Sequence, residues 1–330
     1  MTYVSGFTGD DSALLVSARA SVLITDSRYT EQAGRECPET RVLEHRRGLL
    51  KTAAGLVKRR RLRRVGFEDS LPQGWYLQLR AVLGARRLVA QTGLVERQRQ
   101  VKDASEVARI RRAVAVAESW WQRRRSLFRP GRTEREVAAD LVHAMGRLGA
   151  EGPAFPLIVA VGGRASLPHA RAGRGRLSAS RPVLIDWGAD VAGYKSDLTR
   201  VLAPHRMTAR FREVYGVVLA AQQAAIAAVR PGVTAGSVDA AARSIITRAG
   251  YGQQFGHSVG HGVGLDVHER PRVGKRDRTT LQPGMVFTIE PGIYLPGRIG
   301  VRIEDVVLVT RRDCEVLSSL PKRLEDVLLE

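Results

Sequence analysis

An internal repeat constrains this chain more than any other feature of its sequence. Residues 129–133 read Arg-Pro-Gly-Arg-Thr, and residues 230–234 read Arg-Pro-Gly-Val-Thr, at an offset of 101. A long helical pattern precedes each copy, with apolar residues spaced i, i+3, i+4 over about 106–128 and about 208–230. Pro-Gly is expected to end each helix, because proline lacks a backbone donor and glycine tolerates left-handed backbone.

A shorter helix is predicted after each copy of the repeat. Thr133 and Glu136 form a capping-box pattern for the first, and the second is expected over about 237–248. Apolar runs typical of strands follow each helix pair, at Phe155–Val161, Val183–Asp186, Phe255–Gly264, Met285–Ile289 and Val301–Val309. The pattern predicts two α+β halves related by a pseudo-twofold axis, since a period near 100 residues is too long for a solenoid.

The first 100 residues have a different pattern of predicted secondary structure. Strand-like runs at Ala13–Ser17 and Ser21–Thr25 alternate with charged helical stretches, which indicates a smaller α/β domain. We therefore expect one domain over residues 1–100 and a second over residues 101–330, with the link at Val101–Ser105.

The chain is strongly basic, with a formal charge of +20. Of its 53 basic residues only six are lysine, and the densest run is Lys58–Arg64. That run contains no aromatic residue, so the charge indicates non-specific attraction to polyanions, and specific nucleic-acid binding is not expected. A solvated basic face is the simpler interpretation.

Several classes of protein are disfavoured. No apolar stretch reaches the roughly 20 residues needed to span a bilayer, so no membrane partner is expected. The first residues lack the pattern of a signal peptide. Cys37 and Cys314 form no pair motif and are interpreted as reduced thiols, which favours a cytoplasmic location.

Five residues at or near the ends of strand-like runs carry metal-binding chemistry: Asp186, Asp197, His261, Glu290 and Glu304. Four carboxylates and one imidazole suit Mn²⁺, Co²⁺ or Zn²⁺. Left unpaired in one cleft, the carboxylates would repel one another, so charge balance favours two ions that share a water-derived nucleophile.

Each of these residues has an ordinary alternative. An aspartate after a strand is usually a turn or cap residue, a glutamate before Pro-Gly is usually exposed, and a lone histidine near glycines is usually structural. The glycines around His261 also resemble a phosphate loop, but no Lys-Ser/Thr ending or helix start follows. The joint occurrence of all five residues favours the metal site.

The motifs around these five residues resemble those of the Xaa-Pro aminopeptidase and prolidase family, the pita-bread metallopeptidases. The resemblance covers the chain from about residue 100 to its end and rests on Val183–Ala189, Gly193–Tyr194, Ser196–Arg200, His257–Leu265, Val267–Pro271, Ile289–Tyr294 and Gly300–Asp305. It implies a pita-bread catalytic domain with an internal pseudo-twofold repeat.

The resemblance also implies a role for each ligand. Asp186 would chelate one ion, Asp197 and Glu304 would bridge both, and His261 and Glu290 would complete the second. Two divalent ions are expected, with Mn²⁺ preferred over Co²⁺ and Zn²⁺.

Further catalytic residues follow from the same motifs. Glu290 would also act as general base, while His169, His257 and His268 would donate hydrogen bonds to the scissile carbonyl. Arg302 would orient the adjacent ligands. For His169 a loop residue without a role remains the alternative, and for Arg302 a strand-surface position.

The N-terminal residues Tyr3–Gly9 and Thr25–Tyr29 resemble the creatinase-type domain of the proline-directed members. The chain begins at this motif, so either the domain is shortened at its start or translation begins earlier. The resemblance implies a homodimer that cleaves the bond before proline at the N-terminus of peptides, as aminopeptidase P does. A prolidase-like dipeptidase is the alternative, and a non-catalytic binding protein of the same fold is disfavoured.

Overall fold

The computed structural model describes residues 1–329 and divides into two compact units, Met1–Gln98 and the chain from Arg99 onward. We call them the N-terminal and C-terminal units. A boundary at residue 100 stays a prediction of the sequence.

The N-terminal unit alternates helices with short strands. A three-stranded sheet has the order β1-β2-β3, and β4 pairs in parallel with β5. The two strands predicted from the sequence correspond to β1 and β2, which confirms the α/β organisation. The elements are α1 (Thr2–Ser5), β1 (Ala13–Ser17), β2 (Ala20–Thr25), α2 (Thr30–Glu36), β3 (Arg41–Glu44), α3 (Leu49–Arg59), β4 (Val65–Glu68), α4 (Gln73–Leu83), β5 (Leu88–Gln91) and α5 (Leu94–Arg99).

The C-terminal unit contains two helix pairs, each followed by strands. Its helices are α6 (Ala104–Glu118), α7 (Arg124–Leu127), α8 (Glu134–Gly146), α9 (Ala209–Ala228) and α10 (Ala235–Arg248). Its strands are β6 (Gly152–Pro153), β7 (Ile158–Val161), β8 (Val183–Trp187), β9 (Ala189–Val191), β10 (Tyr194–Lys195), β11 (Leu198–Pro204), β12 (Gly260–Gly262), β13 (Glu269–Val273), β14 (Val286–Ile289), β15 (Gly292–Leu295), β16 (Ile299–Arg302), β17 (Asp305–Val309), β18 (Cys314–Val316) and β19 (Leu328–Leu329).

Two sheets meet inside the C-terminal unit. One has the order β19-β11-β8-β7 and the other β13-β12-β14-β17-β18. A backbone bridge joins the chain beside the second sheet to β11 of the first, where Glu304 N–H donates to the carbonyl of Thr199 at 3.2 Å. The two halves therefore contact each other directly at a predicted metal ligand.

The predicted short helices begin where the repeat ends. Thr133 accepts a hydrogen bond from Glu136 N–H in a complete capping box, and Thr234 accepts one from Ser237 N–H. Helices α9 and α10 pack apolar faces into the core, including Val214, Ala221 and Ile246. The duplicated helix pair predicted from the sequence is confirmed.

The long helix predicted over 106–128 is interrupted, because α6 ends at Glu118 and α-helix resumes only in the short α7, Arg124–Leu127. Trp187 Nε1 donates to the carbonyl of Ala117 at 2.7 Å, a carbonyl that would accept from Trp121 in a continued helix. The ring of Trp120 then packs on Trp187 at 5.0 Å and on Phe128 at 5.4 Å. Tertiary packing of aromatic rings thus ends the helix.

Two predicted strands are shorter or divided. The run 255–264 forms a strand only at Gly260–Gly262, and the run 301–309 is split between β16 and β17. The split occurs because Glu304 N–H bonds to Thr199 rather than to a neighbour in its own sheet. Within residues 1–329, no helix is both long and apolar enough to cross a membrane.

Candidate metal centre

Asp186 lies in the central strand β8, where its neighbours across the sheet are Ile158 on β7 and Thr199 on β11. Its Oδ2 accepts a hydrogen bond from Arg302 Nη2 at 2.5 Å. Its Oδ1 is buried and has no hydrogen-bond partner among the described residues. A buried carboxylate oxygen that lacks a hydrogen-bond partner is available to bind a cation.

The other four predicted ligands gather around it from both halves of the C-terminal unit. Ligand atoms of Asp197, His261 and Glu304 lie within 4.8 Å of one another. His261 Nε2 is 3.5 Å from Asp197 Oδ2 and 3.1 Å from Glu290 Oε1. The structure therefore brings together residues up to 118 positions apart in the sequence.

Glycines around His261 allow the strands to approach closely. A Cβ on Gly260 would lie 1.8 Å from the carbonyl oxygen of Thr288, and one on Gly262 would lie 2.1 Å from that of Arg270. Both contacts are with backbone atoms of neighbouring strands, so no side chain fits there. Close strand packing around the site accounts for these glycines without a phosphate loop.

Burial and the crowding of carboxylates shape the electrostatics of the site. Burial, together with the charges of nearby carboxylates, raises the pKa of Asp197 and of Glu304 well above the usual values. Burial also raises the pKa of Asp186, and Arg302 opposes this only in part. For Glu290, burial is outweighed by the hydrogen bond and charge of His261, and the pKa falls to about 2.

These residues fit divalent cations. Glu304 Oε1, like Asp186 Oδ1, is buried without a hydrogen-bond partner in the described part of the chain. Four carboxylates and one imidazole form a donor set that Mn²⁺, Co²⁺ and Zn²⁺ accept. Two dications would balance the four negative charges and use the two free oxygens.

Arg302 holds one wall of the site through a chain of hydrogen bonds. Besides Asp186, it donates from Nη1 to Tyr294 Oη at 2.8 Å and from Nε to Thr199 Oγ1 at 3.0 Å. Thr199 Oγ1 in turn donates to Glu304 Oε2 at 2.7 Å. The buried guanidinium thus contacts Asp186 directly and Glu304 through Thr199, and its orienting role stays a prediction of the sequence.

His257 lies at the end of the same chain. Its Nδ1 is 2.8 Å from the carbonyl of Ser258, which can only accept, so Nδ1 carries the proton. Its Nε2 therefore accepts from Tyr294 Oη at 3.0 Å. Burial lowers the pKa of His257, and the neutral ring has no further N–H to offer a substrate. Its contacts are those of a group that positions Tyr294.

The remaining two histidines are exposed. The ring of His268 lies 4.1 Å from that of His261, and burial together with the charge of His261 lowers its pKa. The backbone beside His169 is held by Arg302, which donates to the carbonyl of Pro168 at 3.3 Å. Both side chains are accessible to a peptide at the site.

Sequence reasoning missed several residues that support the site. Tyr294 was within a recognised motif but had no assigned role, and burial raises its pKa to about 12, so it stays a neutral hydrogen-bonding group. Glu269, next to His268, forms buried ion pairs with Lys102 at 2.6 Å and with Arg99. These ion pairs join residues that are far apart in the sequence, so no local sequence pattern predicts that Glu269 supports the site.

Comparison with known proteins decides the family. Residues 108–311 match the profile of metallopeptidase family M24, and residues 1–101 match the creatinase/prolidase N-terminal domain. The protein belongs to metallopeptidase family M24. It is therefore a peptidase, and the resemblance seen in its motifs, the pita-bread fold and the creatinase-type N-terminal domain are confirmed.

Relatives of this M24 peptidase include an Xaa-Pro dipeptidase from Pyrococcus horikoshii, 40% identical over 80% of this chain and 75% of that protein. Among solved structures, an Xaa-Pro dipeptidase from Bacillus anthracis is 37% identical with a TM-score of 0.96, over 99% of this chain and 92% of that one. An X-Pro aminopeptidase from Thermotoga maritima is 37% identical with a TM-score of 0.90, over 98% and 92%.

Proposed function

We propose that this M24 peptidase hydrolyses Xaa-Pro bonds and that Xaa-Pro dipeptides are its best substrates. A cationic cavity beside the site carries the proposal. It measures about 400 Å³ and is lined by residues that include Arg243, His257, Arg272, Lys275, Arg276 and Asp277. Arg243 is already paired with Asp239, and the other three basic side chains against one carboxylate make the cavity suited to an anion.

The cavity is linked to the predicted metal ligands by a short path. His257 lines it and contacts Tyr294, which contacts Arg302, which contacts Asp186. In an Xaa-Pro dipeptide, the free carboxylate belongs to the proline that follows the scissile bond. A cationic cavity beside the site therefore favours dipeptides, whose carboxylate always lies one residue from the scissile bond.

The predicted catalytic arrangement uses the chain's own residues as follows. Asp186, Asp197, His261, Glu290 and Glu304 would hold two divalent ions. When bound, such ions polarise a peptide carbonyl and lower the pKa of bound water, so that a hydroxide nucleophile is available near neutral pH. Glu290, whose Oε1 lies 3.1 Å from His261 Nε2, would take the proton from the attacking water.

Exposed histidines would then orient the substrate. His268 and His169 would donate hydrogen bonds to the carbonyl of the scissile bond as negative charge develops on its oxygen, and the exposure of both side chains supports this. His257 and Arg302 would act through Tyr294 and Asp186 by fixing their positions. This assignment changes the role of His257 from donor to positioning residue.

The test compares three substrates on protein treated with chelator and then given Mn²⁺: Ala-Pro, its C-terminal amide and Ala-Pro-Pro. We expect kcat/KM for Ala-Pro to exceed that for the amide about 30-fold, because a charged hydrogen bond contributes about 2 kcal/mol. Arg276→Gln should abolish this preference, whereas Arg311→Gln, on the exposed surface, should retain it. Glu290→Gln should lower kcat at least about 100-fold.

Aminopeptidase P-like action on longer peptides is the second candidate, and similarity to the Thermotoga maritima enzyme supports it. Release of alanine from Ala-Pro-Pro, with the amide cleaved as fast as the free dipeptide, would favour it. Cleavage of none of the three substrates would contradict both proposals. The homodimer, the cytoplasmic location and the preference for Mn²⁺ stay predictions.

A further inference from the structure

A basic surface of the N-terminal unit is not explained by peptidase chemistry. The run Lys58–Arg64 covers the last two residues of α3 and the turn that leads to β4, and Arg86 and Arg87 directly precede β5. Strands β4 and β5 are parallel, with Val65 opposite Leu88. Because parallel strands begin at the same edge of a sheet, the residues before both strands lie side by side. Arg63 and Arg64 are thus next to Arg86 and Arg87.

We call this surface the cationic edge and define it by eight residues: Lys58, Arg59, Arg60, Arg61, Arg63, Arg64, Arg86 and Arg87. Arg60 is half-buried and the others are exposed. A flexible backbone would leave these residues as an ordinary solvated segment. A fixed backbone would instead hold their charges together as one surface.

The backbone of the cationic edge is held in place from inside. Leu62, Val65 and Leu88 pack against the small core formed by Ala54, Val57 and Leu83. Leu62 N–H donates to the carbonyl of Val57 at 3.1 Å, and Arg61 adopts a left-handed φ of 51° that turns the chain. Since the apolar residues of the segment point inward, the basic ones between them are presented outward.

The charges of the cationic edge are not neutralised by the protein. Within residues 1–329, none of its eight residues takes part in an ion pair, although other arginines of the N-terminal unit do, such as Arg28 with Asp26 and Arg35 with Glu31. The acidic residues nearest in sequence, Glu68 and Asp69, lie at the opposite end of β4. When a fixed cluster of unpaired cations neutralises the phosphates of a polyanion, the counterions condensed on the polyanion are released, which favours binding.

We propose that the cationic edge binds the phosphate backbone of nucleic acids without reading base sequence. Seven of its eight residues are arginines, whose planar guanidinium groups bind phosphate oxygens in pairs. It contains no aromatic residue to stack on bases, so contacts are confined to the backbone. Leu62, Val65 and Leu88 are half-buried against the small core, which leaves no fully exposed apolar side chain among these three to insert into a lipid surface.

Fluorescence anisotropy with a labelled 20-base-pair duplex, measured across salt concentrations, tests this proposal on the full chain. If about five phosphates are contacted, log Kd should change with log salt with a slope of about 4.5. The variant Arg63→Gln, Arg64→Gln, Arg86→Gln, Arg87→Gln should make this slope shallower by about 3 to 4. Two unrelated duplex sequences should bind equally.

A matched variant controls for total charge. Arg129→Gln, Arg206→Gln, Arg311→Gln, Arg312→Gln removes the same charge from exposed positions of the C-terminal unit and should leave the slope within about 1 of the unchanged protein. Both variants should retain peptidase activity and melting temperature. Equal weakening by both variants, no binding at about 50 mM salt, or tighter binding to anionic phosphatidylserine vesicles than to the duplex would each overturn the proposal.

Discussion

The two halves of the C-terminal unit share a backbone frame but hold their loops with different side chains. Gly131 N–H donates to Leu177 and Gly232 N–H to Leu281, both at 2.9 Å. Glu134 N–H donates to Gly175 and Ala235 N–H to Thr279, again both at 2.9 Å. Each short helix thus begins against a loop of its own half: the loop before β8, which carries His169, in the first half, and the loop after β13 in the second.

In the first half, a buried carboxylate at the start of α8 holds the loop. Glu134 accepts from Val161 N–H at 3.0 Å, from Gly173 N–H at 2.8 Å and from Arg164 Nε at 3.0 Å. Arg164 Nη2 then donates to the carbonyl of Arg171 at 2.8 Å. These contacts hold the segment that follows His169 in the sequence, at Arg171 and Gly173.

In the second half, alanine replaces that glutamate and the equivalent task falls one helical turn later. Asp239 accepts from Val259 N–H at 3.2 Å and pairs with Arg243 at 2.7 Å. Arg243 donates to the carbonyls of Phe255 and His257. The comparison shows that the duplicated backbone was retained while the side chains that hold each histidine loop diverged.

Asp239→Ala should have the largest effect on this comparison. It leaves Arg243, whose side chain is 14% exposed, without its partner, and also leaves Val259 N–H unpaired. We expect a loss of about 3 to 4 kcal/mol in the free energy of unfolding, measured in urea. Glu31→Ala removes an exposed pair of the same spacing and should cost under about 0.5 kcal/mol. Equal losses in both variants would contradict the buried role of Asp239.

Metal binding should stabilise the C-terminal unit because ligands from both halves must converge. With Mn²⁺ at about 100 times its Kd, the gain over chelator-treated protein should be about 2.7 kcal/mol. Asp197→Asn, from the first half, and His261→Ala, from the second, should each remove most of this gain in calorimetric titrations and thermal melts. If either variant retained the full stabilisation by Mn²⁺, the ligand that it removes would not be needed for metal binding.

Glu134→Gln tests whether the first half depends on a charge as the second does. The amide can keep one backbone contact but loses the charged bond to Arg164, a group 42% exposed, so we expect a loss of about 2 kcal/mol. Because the His169 loop is then less firmly held, KM should rise while metal affinity measured by titration stays the same. A fall in metal affinity would contradict this, because it would show that Glu134 supports the metal ligands rather than only the His169 loop.

The helix caps should give the smallest difference between halves. Thr133→Ala breaks a reciprocal capping box and should cost about 1 kcal/mol. Thr234→Ala removes a cap without the return contact from a glutamate and should cost about half as much. Thermal melting of the two single variants, with Thr208→Ala at the start of α9 as a further one-sided cap, checks this order.

Much of the catalytic unit could be predicted because its signals are local. The Pro-Gly repeat, the capping patterns and the helical periodicity depend only on neighbouring residues, and α8, α9 and α10 begin close to where they were expected. The errors arose where a distant group intervened. Trp187 ended α6, and Thr199 divided the strand around Glu304.

The sequence by itself determined the duplicated helix pairs and the glycines that let strands approach, and it predicted the five metal ligands, since residue type and short-range motifs carry this information. Only the tertiary structure decided which groups support them: Tyr294 between His257 and Arg302, Lys102 against Glu269, and Glu134 or Asp239 beneath each loop. Such pairs join residues far apart in the chain, and their energies depend on burial and distance that exist only after folding.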